Sequence, residues 1–197
     1  ATQAAGFTSK EIALMCASHN GEEIHVNAAK GMAEKLGFDV FRGSEEDVLD
    51  RVYQAAKQYG AKHIVRVTPD CPLVDYKVMD KVIQIYRSGH YDYVTNVLRC
   101  TYPDGLDVEV FSFDALEQAW KEAILPSERE HVTPFIRNNA RFRTFNVESP
   151  VDFSHFKWSV DTEQDLDFVR SVFEGLQHKG HTFDLADVLT LLQNHPE

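Results

Sequence analysis

From residue 11 to residue 95 the chain repeatedly exchanges short apolar runs for stretches with helical spacing. Residues 11–17 (EIALMCA) are apolar, and Ile24, Ala28, Met32 and Leu36 then recur at helical intervals up to Gly37, a common stop residue. Residues 38–41 read as a short strand. Ser44 reads as the N-cap of a helix whose apolar face holds Val48, Leu49, Val52, Ala55, Ala56 and Tyr59. Residues 63–67 (HIVRV) read as a buried strand. Asp75 is placed to cap a helix with Val78, Met79, Val82, Ile83 and Tyr86 on one face, and a strand over 91–95 follows. This order predicts right-handed crossovers and a three-layer α/β/α protein with a mostly parallel sheet.

The second half is less regular. Residues 107–112 alternate like a strand and 114–124 read as a helix. Ser127 and Glu130 have the spacing of a capping box opening a helix over 127–138. Strands near 142–147 and 156–160 precede a helix from Thr162, and a last helix covers 184–194. With no internal repeat, low-complexity tract or linker, the 197 residues read as one domain.

Composition narrows the function. At 43% hydrophobic and 26% charged the chain can build a core. Its net charge of -11 argues against a nucleic-acid partner, which needs a Lys/Arg footprint. An anionic nucleotide would need a metal ion or helix N-termini to assist it. The three cysteines, Cys16, Cys71 and Cys100, have neither zinc-site spacing nor the even number of a disulfide framework. No signal peptide or membrane-length apolar run is seen, so a reduced, cytoplasmic setting is the expectation.

Candidate chemistry sits where strands end, since ligands of open α/β sheets bind beyond the strands' carboxyl ends. Asp70 follows strand 63–67 and Asp161 follows Trp158-Ser159-Val160. They are either hard oxygen ligands for Mg²⁺ in one crevice or ordinary turn and capping residues. Arg42 and Arg51 either face a nucleotide or pair with neighbouring acids. Arg66, inside an apolar strand, needs a carboxylate partner near the site. Asn96 at a strand end either bonds a sugar or base or makes a turn. Asp107 and Glu109 share a strand face and either bind sugar hydroxyls or meet solvent. Asp104-Gly105 reads as a tight turn, Glu130 as a capping acid, and His131 as a substrate-side or structural histidine. Cys71 reads as a space-filler.

Four segments, in this order, resemble the cytidylyltransferases of spore-coat polysaccharide biosynthesis: VFRGSEEDVLDR (40–51), VRVTPDCPLVD (65–75), TYPDGLDVEVFS (101–112) with SEREHVTPF (127–135), and KWSVDTEQDLDFV (157–169). The resemblance covers roughly residues 36–175, and that family is related to the enzymes that make CMP-sugars. It implies a Rossmann-like fold of the nucleotide-diphospho-sugar transferase type, and transfer of CMP from CTP to a small sugar with release of pyrophosphate. It further implies Mg²⁺ held by Asp70 and Asp161, with Arg66 beside them. Arg42, Arg51, Asn96, Asp107, Glu109, Glu130 and His131 then fall on the substrate side, and residues 101–140 form a substrate and dimer subregion.

The family opens with a basic, glycine-containing phosphate loop of the form R-x-x-S-x-R-L-P-x-K, which residues 1–35 do not match, so the first β-α unit is expected to be absent. Strand 11–17 then corresponds to the family's second strand, and the bare sheet edge makes a homodimer plausible. Activity is impaired on this view, and a non-catalytic sugar-nucleotide-binding or scaffold module is the alternative. Residues 6–36 also resemble, locally, the L-asparaginase II family, where Ser18, His19 and Glu22 would suggest an amidohydrolase.

Overall fold

Side chains alternate between two faces along each central strand, and each face has its own core. The structure is a computed structural model that describes residues 12–15, 33, 35–179 and 182–194. In β2 (His63–Arg66), Ile64 enters one cluster and Val65 the other. Tyr93 and Val94 of β3 (Tyr93–Thr95) divide in the same way, as do Phe111 and Val110 of β4 (Glu109–Ser112). Helix α1 (Val48–Gln58) closes the first cluster through Leu49, Val52 and Ala56, and α2 (Tyr76–Arg87) closes the second through Met79, Val82 and Ile83. Helix α3 (Phe113–Glu122) adds Leu116 and Ala119 to the first. Helices on both faces give the expected three layers. Each fully buried Leu, Ile, Val or Phe contributes about 1.5–3 kcal/mol.

With β1 (Ile12–Met15) and β5 (Thr144–Asn146), the sheet order among the described residues is β1-β2-β4-β3-β5. β1 pairs parallel with β2 and β3 parallel with β5, while β4 is antiparallel to both neighbours. Four of these five strands therefore run one way. β4 runs against them because residues 96–108 return from β3 without a crossover helix, which an antiparallel pair permits. That return loop becomes one wall of the site.

A third cluster packs α6 (Glu163–Leu176) and α7 (Leu185–Asn194) against Leu106 and Trp158. Asp75 caps α2 as expected, its Oδ1 accepting from the N–H groups of Lys77 (2.6 Å) and Val78 (3.0 Å). Among the described residues no helix is long and apolar enough to cross a membrane.

Four local expectations are corrected. Residues 38–41 form no strand; Leu36 and Phe38 are exposed, and no strand pairs with the segment among the described residues. Helix α1 begins later than Ser44, with Asp47 as N-cap; the Ser44 hydroxyl instead accepts from the Asp47 N–H at 2.9 Å. The helix read over 127–138 is two helices, α4 (Pro126–His131) and α5 (Pro134–Asn138), separated at Val132, whose φ is 72°. The acid capping α4 is Glu128, whose Oε2 accepts from the N–H groups of Ile124 and Leu125 at 3.2 Å each, rather than Glu130. Residues 156–160 make only a bridge, Lys157 opposite Asp104. The helix read over 21–36 lies almost wholly outside the described residues, as do Ser18, His19 and Glu22.

Candidate functional site

At the carboxyl end of β2 lies a pocket of about 340 Å³. β2 and its extension contribute Arg66 and Thr68, the approach to β4 contributes Asp107 and Glu109, and the α4–α5 junction contributes His131, Thr133 and Arg137. Four sequence candidates, Arg66, Asp107, Glu109 and His131, thus meet in one space. A larger cavity of about 940 Å³ opens at the opposite end of β2, beside His63. Lining cations there are already paired, Lys121 with Glu117 at 2.8 Å and Arg141 with Glu122 at 2.8 Å. It also lies away from the strand ends where such sheets bind ligands.

Arg66 has the carboxylate partner expected of a cation in an apolar strand: its Nη1 donates to Glu109 Oε2. Glu109 is buried and committed, because Tyr93 and Thr133 also donate their hydroxyls to its Oε1, each at 2.6 Å. It orients a cation and is not open to sugar hydroxyls. Thr133 reaches this position through a γ-turn: its N–H donates to the His131 carbonyl at 2.8 Å across Val132, at φ 72° and ψ -54°. A β-branched residue at positive φ costs of order 1–3 kcal/mol, offset by complete burial of the Val132 side chain. In an unbroken helix residues 131 and 133 would diverge to opposite sides; the turn lets both line the pocket.

Asp70 and Asp161 are brought close through the backbone. The Val160 N–H donates to the Asp70 carbonyl at 2.8 Å. Beside this contact the 101–107 loop docks on 156–159: the Trp158 N–H donates to the Asp104 carbonyl at 2.6 Å, and the Ser159 hydroxyl donates to Asp104 Oδ2 at 2.9 Å. Gly105 permits the approach. At its φ of 105°, a Cβ would lie 2.5 Å from the Ser159 nitrogen. Asp104 is thus a docking residue rather than only a turn residue.

Both aspartates are exposed. Asp70 Oδ1 lies 3.7 Å from the Cys71 thiol, and Asp161 Oδ2 is 2.9 Å from Lys157 Nζ. Among the described residues no three His, Cys, Asp or Glu side chains make a ready cage for a metal ion. Mg²⁺ commonly takes one or two carboxylates and fills its shell with substrate phosphates and water. Two acids on docked, solvent-facing loops fit that pattern.

Burial, reinforced by Asp104, Glu109 and Asp70 and opposed by Arg66, raises the Asp107 carboxyl to about 6. Burial also pushes the Cys71 thiol up to about 12, against a Thr68 hydrogen bond and with Asp70 and Asp107 adding to the rise. Cys71 is therefore an inert filler, as its sequence context suggested.

The remaining candidates are placed differently. Asn96 is buried and spans the return loop, donating from Nδ2 to the Leu106 carbonyl at 2.8 Å and accepting at Oδ1 from the Val108 N–H at 2.9 Å. Arg51 donates to the Ser44 carbonyl at 2.6 Å and packs its stem on Gly43, which explains it as a clamp on the loop before α1. Arg42 and Glu130 are exposed and do not line the pocket. Two of the motifs meet through residues the sequence reading passed over: Arg129 donates from Nε to both oxygens of Asp47 at 3.0 Å and from Nη1 to the Trp120 carbonyl at 2.8 Å. Thr133 and Arg137 were also passed over. Their signal was Pro134, which resets helical phase in HVTPFIR.

Residues 5–181 match the sequence profile of a family described as cytidylyltransferase. That match includes residues 6–36. Over 145 residues the chain is 42% identical to an uncharacterised protein of Methanocaldococcus jannaschii, covering 71% of this chain and 58% of that protein. Over 171 residues it is 32% identical to the spore coat polysaccharide biosynthesis protein SpsF of Bacillus subtilis, covering 83% of this chain and 68% of that one. The chain thus spans somewhat under two thirds of the first relative's length and about two thirds of the second's. A solved cytidylyltransferase from Leptospira borgpetersenii superposes with a TM-score of 0.83 at 31% identity, over 94% of this chain and 76% of that one. A CMP:2-keto-3-deoxy-manno-octonic acid synthetase solved with CTP superposes with a TM-score of 0.54 at 14% identity, over 82% and 80%, which is a likeness of fold.

Proposed function

The chain belongs to the cytidylyltransferase family, and from that premise we propose that it transfers CMP from CTP to a hydroxyl of a small sugar, releasing pyrophosphate. The observation that carries this reading is the docking of the Val160-Asp161 turn onto Asp70 beside the Arg66 pocket. In the reaction an acceptor oxygen bonds to the α-phosphorus, the bond to the pyrophosphate oxygen breaks, and the acceptor's hydroxyl proton passes to solvent water. Charge placement and in-line positioning dominate such transfers. Asp70 and Asp161 would hold Mg²⁺, which when bound neutralises phosphate charge. Arg66 and Arg137 face phosphate oxygens, and His131 lines the same pocket. Asp107 accepts a hydrogen bond from the acceptor hydroxyl while ionised.

The sugar class is one used in surface polysaccharide, in line with the SpsF likeness. A cytoplasmic setting agrees with the free thiols of Cys71 and Cys100. A homodimer through the 101–140 subregion agrees with exposed Ile124 and Leu125 there. The second reading is a sugar-nucleotide-binding module that holds CTP in this pocket without turnover.

Pyrophosphate release from CTP and Mg²⁺ across a panel of sugars separates the two. CTP-dependent release with one acceptor is expected. CTP binding without release for any sugar would favour the module, and absence of CTP binding would sink both.

A further inference from the structure

Three of the pocket's polar side chains, Arg66, Glu109 and Thr133, are bonded to one another. Tyr93, Thr133 and Glu109 are 0%, 2% and 4% exposed, whereas the Arg66 side chain, at 17%, reaches the opening. Glu109 Oε1 receives two hydroxyl donors, Tyr93 from β3 and Thr133 from the α4–α5 junction, and Oε2 receives Arg66 from β2. Three separate parts of the fold therefore converge on one carboxylate.

We propose that Tyr93 and Thr133 are positioning residues which, through Glu109, fix the direction in which Arg66 presents its guanidinium to the pocket. The inference rests on the transfer reaction proposed above. The terminal torsion of a glutamate is broad and roughly two-fold, so an ion pair alone leaves its carboxylate plane poorly defined. Two hydroxyls on Oε1 set that plane and leave Oε2 for the arginine. The guanidinium is a rigid planar fork, so it inherits the orientation of its acceptor. Such precision matters for a group acting on charge that develops during the reaction, where small misplacements are costly. The strained turn at Val132 has a role in the same arrangement, because it delivers Thr133 to Glu109.

Wild type, Tyr93→Phe, Thr133→Val and Thr133→Ser are compared for kcat, for KM of CTP and for the nitrogen NMR signal of Arg66 Nε. Thr133→Val and Tyr93→Phe are expected to lower kcat about 10- to 100-fold with KM nearly unchanged, the pattern of a lost transition-state interaction. Thr133→Ser, which keeps the donor, is expected to recover kcat to within about 3-fold of wild type. The Arg66 signal should shift or broaden in the Phe and Val variants and not in the Ser variant. Unchanged kcat in either folded hydroxyl-deletion variant, a Ser variant no better than Val, or an unmoved Arg66 signal overturns the proposal. If wild type releases no pyrophosphate, the transfer reading fails by itself and the Arg66 signal decides the relay. Should Thr133→Val not fold, Tyr93→Phe carries both readouts.

Discussion

The backbone N–H of Val160 donates to the carbonyl oxygen of Asp70 at 2.8 Å, so a turn late in the chain is pinned to the end of β2. Asp161 follows immediately, with its carboxylate 2.9 Å from Lys157. If both acids serve one cation, Asp70→Asn and Asp161→Asn should each weaken CTP binding by about 10-fold or more when Mg²⁺ is present. Without Mg²⁺ the same variants should bind CTP at least as well as wild type, because a negative charge near the phosphates is gone. Calorimetry with and without the metal reads both arms. Equal Mg²⁺-dependent binding in all three proteins would remove these residues from the metal assignment.

Gly105 makes a sharper structural test. An alanine Cβ there would lie 2.5 Å from the Ser159 nitrogen and 2.6 Å from the Trp158 carbonyl carbon, at a φ of 105°. Neither neighbour is a flexible side-chain tip, so the loops must separate. Gly105→Ala should cost about 2–4 kcal/mol, which for a chain of this size lowers Tm by roughly 5–15 °C. A thermal melt that matches wild type would show that the two loops are not held as described.

Arg129 joins the loop before α1 to α4 through both carboxylate oxygens of Asp47 and through the Trp120 carbonyl. Only a planar fork can make these contacts together. Arg129→Lys should therefore lose most of what Arg129→Ala loses, about 1–3 kcal/mol in urea unfolding. A lysine variant as stable as wild type would reduce the contact to an ordinary surface pair.

Asp107 links stability to pH. Its folded-state value of about 6 lies above the ordinary 3.8, owing to burial first and then to Asp104, Glu109 and Asp70, against Arg66. Between those values the folded protein holds a proton that the unfolded chain gives up, so the site's contribution rises as pH falls through about 6 and is complete below about 4. Asp107→Asn should accordingly be more stable than wild type at about pH 7.5, by on the order of 1–3 kcal/mol, with the gap closing toward pH 4. Urea unfolding of both proteins at the two pH values checks this, and a gap independent of pH would contradict it.

Much of the framework was legible because it depends on local rules. Val48, Leu49 and Val52, or Val78, Val82 and Ile83, betray their helices by spacing alone, and Asp75 and Thr162 announce their caps. Arg66 could be assigned a carboxylate partner because an unpaired cation in an apolar strand is costly. Local rules also misled. Ser127 and Glu130 fit a capping box, yet Pro126 starts the helix earlier and Glu128 closes it. Phe38 and Phe41 fit a strand, but a strand exists only where a neighbour accepts its hydrogen bonds.

By itself the sequence determined the α/β class, the family, and which short segments carry polar residues at strand ends, since period, caps and motif order are properties of neighbouring residues. Only the tertiary structure decided which of those polar residues are still free to act. It spent Glu109 on Arg66 and Asn96 on the return loop, left Asp107 half-buried among other acids, and brought Thr133 and Arg137 into the pocket through the turn at Val132. The physical reason is that availability depends on burial and on partners distant in the chain, and residues 43 positions apart, as Arg66 and Glu109 are, have no local rule to connect them.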